Sequence, residues 1–462
     1  MEPTHVGWTT SLWFILGGQS VILQVVGHLR KGYLRRILTE YLRLKTRSHT
    51  QSPTVITAKH EGQFGHSTPI YNYITNSLGN KHSLRERRQN TNTMASHSLF
   101  ILATAIILSA AFTAARGCKP SDRASLLAFR KALNEPYLGL FNSWSGANCC
   151  SGSWHGISCD ATTGRVTDVN LRGESEDPIF VKSGRSGYMT GKLSPAICSI
   201  DTLTTLIVAD WKAISGDIPP CLTALSSLRI LDLIGNKLSG EIPADVGKLT
   251  RLTVLNLADN ALTGKIPPSI THLSSLKHLD LSNNRLSGDI PENFGSLAML
   301  SRALLSRNQL TGSIPVSVSR IYRLADLDLS ANRLSGSIPF ELGRMPVLST
   351  LNLDSNNFMG LIPSSLLSNP GMGILNLSRN GFEGTIPDVF GSHSYFMALD
   401  LSYNNLKGRV PGSLSSAKFI GHLDLSHNHL CGSIPLGAPF DHLEASLFSY
   451  NDCLCGNPLK TC

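Results

Sequence analysis

The feature that most constrains this 462-residue chain is a period of 24 residues in its second half. An asparagine recurs at that spacing, a glycine follows four places later, and a proline follows three places after the glycine. A fixed period of this length is typical of stacked identical units, which share one core because a single unit cannot bury its own apolar side chains. The sequence therefore predicts a solenoid. The repeated asparagines are Asn236, Asn260, Asn284, Asn308, Asn332, Asn356, Asn380, Asn404 and Asn428.

The unit LTVLNLADNALTGKIP, which begins at Leu252, predicts the course of one coil. Leu255 and Leu257 are two residues apart, so both point to one side of an extended strand, and we expect that side to face the core. The alternate residues face solvent. Asn260 lies where the chain turns inward, and its amide can pair with backbone groups that a buried turn would leave without partners. We expect about eleven such coils to stack into a parallel β-sheet.

The strand pattern LxxLxLxxN is that of the leucine-rich repeat, and the LxGxIP ending resembles the plant extracellular subclass, which includes the polygalacturonase-inhibiting proteins. The resemblance covers Cys118 to Cys462. It implies an α/β repeat solenoid, a plant-type right-handed superhelix with a concave parallel β-sheet, a second lateral strand and disulfide-bonded caps at both ends. The implied boundaries are 118–165 for the N-terminal cap, 166–430 for the repeats and 431–462 for the C-terminal cap.

The net charge of +9 would suggest a nucleic-acid partner if it were evenly spread along the chain. Residues 1–93 hold 12 basic and 4 acidic residues, whereas residues 118–462 hold 28 of each. The repeat region therefore has no basic excess, and we expect no nucleic acid among the partners.

Residues 94–117 have the pattern of a secretory signal peptide, with a short polar start, an apolar run and small residues just before Cys118. We interpret residues 1–93, which contain no cysteine and no repeat, as an unstructured or artefactual N-terminal extension. Its apolar stretch Trp8–Gly27 is an alternative candidate for a membrane span or signal anchor. We expect the mature chain to begin near Cys118, to have no stable membrane span, and to be secreted to the extracellular space or cell wall.

All ten cysteines follow residue 117 and cluster toward the ends of the repeat region, which fits disulfides formed in an oxidising compartment. Cys198 and Cys221 are 23 residues apart, about one coil, so they can link adjacent coils. A CxC occurs but no CxxC, and we therefore predict neither a metal site nor a cofactor. The resemblance to the plant caps implies four further pairs: Cys118–Cys149, Cys150–Cys159, Cys431–Cys453 and Cys455–Cys462.

Two early coils depart from the repeat. Thirteen extra residues follow Leu171, and the next coil has Trp211 in place of the asparagine together with one extra residue. With the stretch FDHLEAS at Phe440, these irregularities resemble a branch of the same plant family that is named for DNA-damage repair and toleration. The name implies work on DNA, but the neutral repeats, the signal peptide and the cysteines argue against direct DNA contact.

Outward-facing aspartates recur on a repeated LDLS pattern, and two of them two coils apart would lie roughly 9.6 Å from each other. That separation suits an inverting glycosidase, so a glycoside hydrolase is a remote alternative. The aspartates belong to the repeat consensus, however, and His278 and His422 lack a nucleophile arrangement. We therefore predict that the protein is not an enzyme and has no catalytic residues. The aspartates are Asp232, Asp280, Asp328, Asp400 and Asp424.

The coil of Asn308 is unusual, because Ala303 replaces the inward leucine and Leu304 stands outward near two arginines. We expect Leu304 to be an exposed apolar centre of an interface, since Arg and Tyr are enriched among interface hot spots. The prediction is an extracellular protein ligand on the concave face, in defence or stress response, with a cell-wall-degrading hydrolase such as polygalacturonase as a candidate. The alternative is a cell-wall or receptor-complex scaffold without a dedicated ligand. The predicted contact residues are Arg302, Leu304, Arg307, Asp326, Asp328, Asp354, Arg379 and Tyr403.

One N-glycosylation sequon follows residue 117, at Asn376-Leu377-Ser378. Its asparagine is expected to point outward on the sheet, where a glycan would restrict part of the concave face. The sequon would stay unused if the strand folds before modification.

Overall fold

The chain forms two compact units, Met1–Met94 and Ala95–Cys462. In the first unit, strands Thr9–Leu16 and Gln19–Val26 pair antiparallel, so the extension contains a hairpin that we did not expect. Both segments are rich in apolar and β-branched residues, which favour strands. No helix within the described residues is long and apolar enough to cross a membrane. The predicted signal peptide lies outside the part of the chain that the computed structural model describes, which comprises residues 9–16, 19–26, 118–174, 180, 183–437 and 440–462.

A long sheet of eleven parallel strands, one per coil, organises the second unit. Neighbouring strands pair one full repeat apart, as Leu255 does with Leu231 and Leu279. The predicted parallel sheet is thereby confirmed. We number coils 1 to 11 by these strands: Val166–Arg172, Thr205–Ala209, Ile230–Asp232, Val254–Asn256, His278–Asp280, Arg302–Leu304, Asp326–Asp328, Thr350–Asn352, Ile374–Asn376, Ala398–Asp400 and Leu423–Asp424.

The repeated asparagines form a ladder inside the solenoid, and Asn308 shows the pattern. Its Nδ2 donates to the carbonyls of Leu281 at 2.9 Å and Leu305 at 3.2 Å, and its Oδ1 accepts from the Leu286 amide at 2.9 Å. Two of these three partners belong to coil 5. A buried amide is tolerated because it is bonded on both sides, and the same bonds tie each coil to the one before it.

The return path of most coils holds a second strand and then one helical turn. Within the described residues, coil 4 lacks this strand and coil 9 lacks this turn. The lateral strands are Met189–Lys192, Lys212–Asp217, Lys237–Ser239, Ser287–Asp289, Gln309–Thr311, Ser335–Gly336, Asn357–Leu361, Gly381–Thr385, Asn405–Gly408 and His429–Ser433. The repeated proline precedes or begins most of the turns, where its fixed φ suits a helix start. These are 3₁₀ turns at Pro195–Ser199, Pro220–Ala224, Val246–Lys248, Pro268–His272, Phe294–Ser296, Val316–Arg320, Phe340–Arg344 and Gly412–Ser416, with an α-helix at Ser364–Leu367. Coils 9 and 10 also carry the paired strands Tyr395–Phe396 and Phe419–Ile420.

The N-terminal cap covers coil 1 with a helix, a tryptophan pair and one antiparallel strand. The helix is Pro120–Lys131, and the strand Ile157–Cys159 pairs with coil 1. Buried Asp122 in the first helical turn accepts from Arg165 Nε at 2.8 Å and from the Val166 amide at 3.1 Å. These bonds join the cap to the first strand. Shorter elements are Leu133–Asn134 and Leu140–Ser143, and Trp144 stacks on Trp154 at 5.4 Å between ring centroids.

The C-terminal cap imitates one more coil. The 3₁₀ turn Ala445–Phe448 takes the place of a strand, and the amide of Leu425 donates to the carbonyl of Leu447 at 2.8 Å. Asn451 then acts as a further ladder residue, because its Nδ2 donates to the Leu425 carbonyl at 3.0 Å and its Oδ1 accepts from the amide of Leu430. The strand Cys453–Cys455 pairs with the lateral strand of coil 11 and ends the stack.

All ten cysteines are paired, and none is free. The five bonds are the four that the family resemblance implies and the one between adjacent coils: Cys118–Cys149, Cys150–Cys159, Cys198–Cys221, Cys431–Cys453 and Cys455–Cys462. Among described residues, the one cluster with metal-ligand proximity consists of Cys118, Cys149 and Cys150. Each of these sulfurs is already in a disulfide, so the cluster offers no thiolate to a metal.

Candidate functional site

The side of the long sheet that faces away from the leucine core carries two columns of side chains. The strand register places one residue of each column on each coil, so neighbours along a column are about 4.8 Å apart. Most positions are half-buried and polar or charged. Coils 5 to 9 contribute His278, Arg302, Asp326, Thr350 and Ile374 to the first column and Asp280, Leu304, Asp328, Asn352 and Asn376 to the second.

The repeated aspartates cap the end of their own strands. Asp328 Oδ1 accepts from the Ser330 amide at 3.0 Å and from the Ser330 hydroxyl at 2.7 Å. Asp280 and Asp400 make the same two bonds to the serine that follows them. The carboxylates are therefore occupied in shaping the turn, which gives the LDLS pattern a structural explanation. Asp232 differs, because it is buried against Arg172 instead of facing solvent as expected.

Coils 5 to 7 place a histidine, an arginine and an aspartate side by side on the first column. Arg302 Nε bonds Asp326 Oδ2 at 3.1 Å across neighbouring strands. On the other side of Arg302 lies His278, whose pKa is lowered by its partial burial and, secondarily, by the arginine. The arginine is half-exposed even in its ion pair, so the pair contributes little to stability and remains accessible to a ligand.

Leu304 faces outward as expected, but it is half-buried and so less exposed than the sequence predicts. The register places it directly between Asp280 and Asp328 on the neighbouring strands. Its neighbour Ala303 takes the inward position and is fully buried. Leu304 is thus a small apolar patch between two carboxylates on the second column.

The residue just before each ladder asparagine forms a separate column at the margin of the sheet. All of its members from coil 4 onward have left-handed backbone, with φ between 51° and 58°. They are Asp259, Asn283, Arg307, Ala331, Ser355, Arg379, Tyr403, His427 and Tyr450. We refer to them as the turn column.

The C-terminal part of the turn column is a continuous stack. Arg379 Cζ lies 4.2 Å from the Tyr403 ring centroid, Tyr403 lies 3.8 Å from His427, and His427 lies 4.2 Å from Tyr450. The ring pairs are within 11° and 23° of parallel. We predicted Arg379 and Tyr403 as separate contact residues and did not expect the stack. The signal was present, because three successive positions of one column are aromatic or imidazole.

The predicted contact residues therefore fall into two groups. The structure brings Arg302 together with Asp326, and Arg379 together with Tyr403. Leu304 and Asp328 are cross-strand neighbours in the first group. Arg307 belongs to the turn column, and half-buried Asp354 follows the coil 8 strand, with its amide donating to Asn352 Oδ1 at 3.4 Å. The two groups are about three coils apart, so a ligand that contacts both must extend along the sheet.

A second ionic cluster lies at coils 1 to 3, beside the inserted segment. Arg172 bonds Asp210 at 3.2 Å and Asp232 at 2.5 Å, and Lys212 bonds Glu174 at 2.9 Å. Burial raises the pKa of the Asp210 carboxyl, an effect that the Arg172 charge opposes. Residues 175–179 and 181–182 of the insertion lie outside the described residues. Each charged group named in this cluster forms its ion pair with another member of the cluster.

Sequence profiles of known families match six stretches of the chain. Residues 119–160 match the leucine rich repeat N-terminal domain, residues 250–295 match a two-copy repeat unit, and residues 370–430 match a longer repeat unit. Single repeats match at 227–249, 323–345 and 347–369. Together with the eleven-strand solenoid, these matches decide the family. The chain is a plant leucine-rich-repeat protein.

Among curated relatives of this leucine-rich-repeat protein, the DNA damage-repair/toleration protein DRT100 of Arabidopsis thaliana is 60% identical over 134 residues, or 29% of this chain and 36% of the relative. Polygalacturonase inhibitor 1 of Oryza sativa subsp. japonica is 33% identical over 30% of this chain and 38% of the inhibitor. The solved ectodomain of the Arabidopsis thaliana receptor kinase GASSHO1/SCHENGEN3, in complex with CASPARIAN STRIP INTEGRITY FACTOR 2, is 34% identical with a TM-score of 0.61. That match covers 68% of this chain and 36% of the ectodomain. The chain thus spans little more than a third of each relative's length.

Proposed function

We propose that this leucine-rich-repeat protein is secreted and non-catalytic, and that it binds an extracellular protein partner on the solvent-facing side of its long sheet in a defence or stress response. The observation that carries the proposal is the sheet itself. Eleven strands present one changeable side chain per column and coil, while the core and ladder residues hold the backbone fixed. A preorganised, extended surface of this kind suits protein recognition.

Two comparisons support a protein partner. The related receptor ectodomain was solved in complex with a named factor, and the related rice protein is named as an inhibitor of polygalacturonase. The repeat region of this chain has no basic excess, which argues against a nucleic-acid partner. A cell-wall-degrading hydrolase such as polygalacturonase is therefore the first partner to assay.

The partner-binding surface that we propose lies on coils 6 to 10. On the sheet it consists of the half-exposed Arg302–Asp326 pair, the apolar side chain of Leu304, and the carboxylates of Asp328 and Asp354. On the turn column it includes Arg307, Arg379 and Tyr403. The arginines of coils 6 and 9 flank the aspartates of coils 7 and 8, so a ligand with complementary charges would be held in one register. Arginine and tyrosine are the residues whose truncation most often weakens an interface.

The test replaces Arg302 and Leu304 together by aspartate. Both side chains point away from the core, so the melting temperature should change little, while inhibition of a fungal endo-polygalacturonase should weaken about tenfold or more. The matched control is Arg320→Asp with Val316→Asp, which makes the same charge change in the same coil on the exposed 3₁₀ turn. The control should inhibit like the parent protein.

Two results together would contradict the proposed function: the parent protein does not inhibit polygalacturonase, and it binds no extracellular protein that the double variant fails to bind. That result would favour the scaffold alternative. Equal inhibition by the double variant and the parent protein would move the interface away from coil 6.

Secretion has its own test. The protein purified from plant extracellular fluid should begin near Cys118 when its N-terminus is sequenced. Recovery of a chain that retains residues 1–93, or of a cytosolic pool, would contradict the predicted signal peptide at residues 94–117.

A further inference from the structure

Part of the turn column carries side chains that are not the ones its left-handed backbone favours. Every member adopts a left-handed conformation, which non-glycine residues adopt at a cost and which asparagine and aspartate tolerate best. Coils 4 and 5 follow this preference with Asp259 and Asn283. Coils 10 and 11 and the cap instead place two tyrosines and a histidine there. Bulky rings at such positions oppose local propensity, so we look for their purpose in what they contact.

Those rings contact each other and Arg379. The four groups follow one another at separations of 4.2, 3.8 and 4.2 Å, close to the rise of one coil. Because the strands fix that rise, each flat group lies on the next without adjustment of the backbone. The result is a rigid column that ends, on its N-terminal side, in the guanidinium of Arg379.

The next two steps of the column beyond Arg379 are nearly empty. Coils 8 and 7 place Ser355 and Ala331 there, whose side chains have at most two heavy atoms, and the next large member is Arg307. Three coil steps separate Arg307 from Arg379, roughly 14 Å by the spacing of parallel strands. Arg379 forms no ion pair with any described residue, and one face of its guanidinium is covered by Tyr403. Its opposite face therefore borders a gap in the column.

We propose that this gap receives an aromatic side chain of the protein partner, which stacks on Arg379 and extends the column. The inference rests on the proposed function, because it names the chemistry of the partner at the margin of the same surface. A guanidinium binds aromatic rings through its face and carboxylates through its edge. The gap in the column lies against the face of the Arg379 guanidinium. Asp354, whose carbonyl accepts from the Ala331 amide of the gap at 2.9 Å, also places a negative charge there that disfavours a carboxylate.

The experiment uses the full secreted chain with arginine side chains isotopically labelled, and it follows the Arg379 Nε–H signal by NMR. Assignment comes from the signal that disappears in Arg379→Lys. N-acetyl-tryptophanamide is the probe, with N-acetyl-leucinamide and acetate as comparisons. We expect the tryptophan probe to shift the Arg379 signal, and the leucine probe and acetate to leave it unchanged at the same concentration.

A gap-filling variant provides the matched test. Ser355→Tyr should adopt the backbone that Tyr403 already adopts, place its own ring on Arg379, and weaken the probe response on the order of tenfold. Asp259→Tyr is the control, because it adds the same ring to the same column four coils away and should leave the response unchanged.

The proposal is overturned if the tryptophan probe causes no shift, if acetate or the leucine probe causes an equal one, or if Ser355→Tyr responds like the parent protein. These outcomes do not depend on which protein is the partner. Failure of the polygalacturonase assay with a positive probe response would instead contradict the proposed partner and leave the aromatic site intact.

Discussion

Trp211 Nε1 donates to the carbonyl of Leu171 at 2.9 Å, in the place where later coils use a ladder asparagine. Asn260 Nδ2 makes the equivalent bond to Leu233 at 3.0 Å. Coil 2 therefore keeps the inter-coil bond although it lacks the asparagine. The indole also fills the space beside the inserted segment, where it is fully buried next to Phe180.

Replacing Trp211 by phenylalanine should destabilise the protein by about 1–3 kcal/mol, because the Leu171 carbonyl loses its buried donor while most of the apolar packing remains. Chemical unfolding monitored by circular dichroism measures the change. Tyr322→Phe, at an exposed ring, is the control and should have little effect. A Trp211→Phe variant as stable as the parent protein would show that the hydrogen bond is not needed.

The first ladder asparagine should matter less than those in the middle. Asn308 uses its amide as donor and acceptor, whereas Asn236 Oδ1 has no hydrogen-bond partner among the described residues, because coil 2 is irregular. Asn308→Ala should therefore cost about 2–5 kcal/mol, and Asn236→Ala clearly less. Urea midpoints of the two variants check the order. The reverse order would contradict the view that both ends of the amide contribute.

His278 should make the stability of the protein depend on pH. Partial burial, with Arg302 nearby, lowers its folded-state pKa below the ordinary value of 6.5, against the opposing charges of Asp280, Asp232 and Asp326. The unfolded state then binds more protons, so stability is full above pH 6.5 and falls as the pH drops from 6.5 through the folded pKa. His278→Gln should remove this component. Denaturation midpoints at pH 8, 6.5 and 5 that fall equally in variant and parent would disprove it.

The native protein should contain no titratable thiol, because all ten cysteines are paired. Removing the Cys198–Cys221 bond by double serine substitution should cost about 2–4 kcal/mol. The Cys455–Cys462 bond closes a shorter loop, with a separation of 7 against 23 residues, so its loss should cost less. Thiol titration in denaturant and unfolding midpoints test both statements.

We expect a glycan on Asn376. The side chain lies half-buried on the sheet, and its Oδ1 accepts from the Ser378 hydroxyl at 2.8 Å within the sequon. Glycosidase digestion of the secreted protein should reduce its mass, and Asn376→Gln should remove that mass beforehand. Identical masses before and after digestion would mean that the strand folds before it is modified.

The periodic part of the fold could be predicted because strand spacing, burial and ladder bonding all follow from one repeated pattern. Leu255, Leu257 and Asn260 lie where the sequence places them. Asn451 was missed, since it follows Asn428 by 23 residues instead of 24 and its coil is built from a helical turn.

The candidate site was harder to predict because it depends on relations between coils. Reading residues singly makes Leu304 an exposed centre, but it lies between Asp280 and Asp328 on the neighbouring strands and is half-buried. Arg379 and Tyr403 appear in the sequence as separate candidates, yet the uniform left-handed turn stacks them face to face. Periodicity predicts where a side chain lies, and cross-coil packing decides how much of it a ligand can reach.

The asparagine ladder also limits how such a gene can change. Each ladder amide donates from its Nδ2 to a carbonyl of the preceding coil and accepts through its Oδ1 from an amide of that coil. Both bonds form only when the two neighbouring repeats have equal length between the strand and the ladder position. Whole repeats can therefore be duplicated or lost by recombination with little damage at the new junction, since the junctions from coil 3 to coil 11 share the same ladder bonds. A partial repeat would leave buried carbonyls and amides without partners at the breakpoint. Evolution can thus lengthen or shorten this protein in steps of 24 residues, and each step moves the later members of the partner-binding columns by one coil.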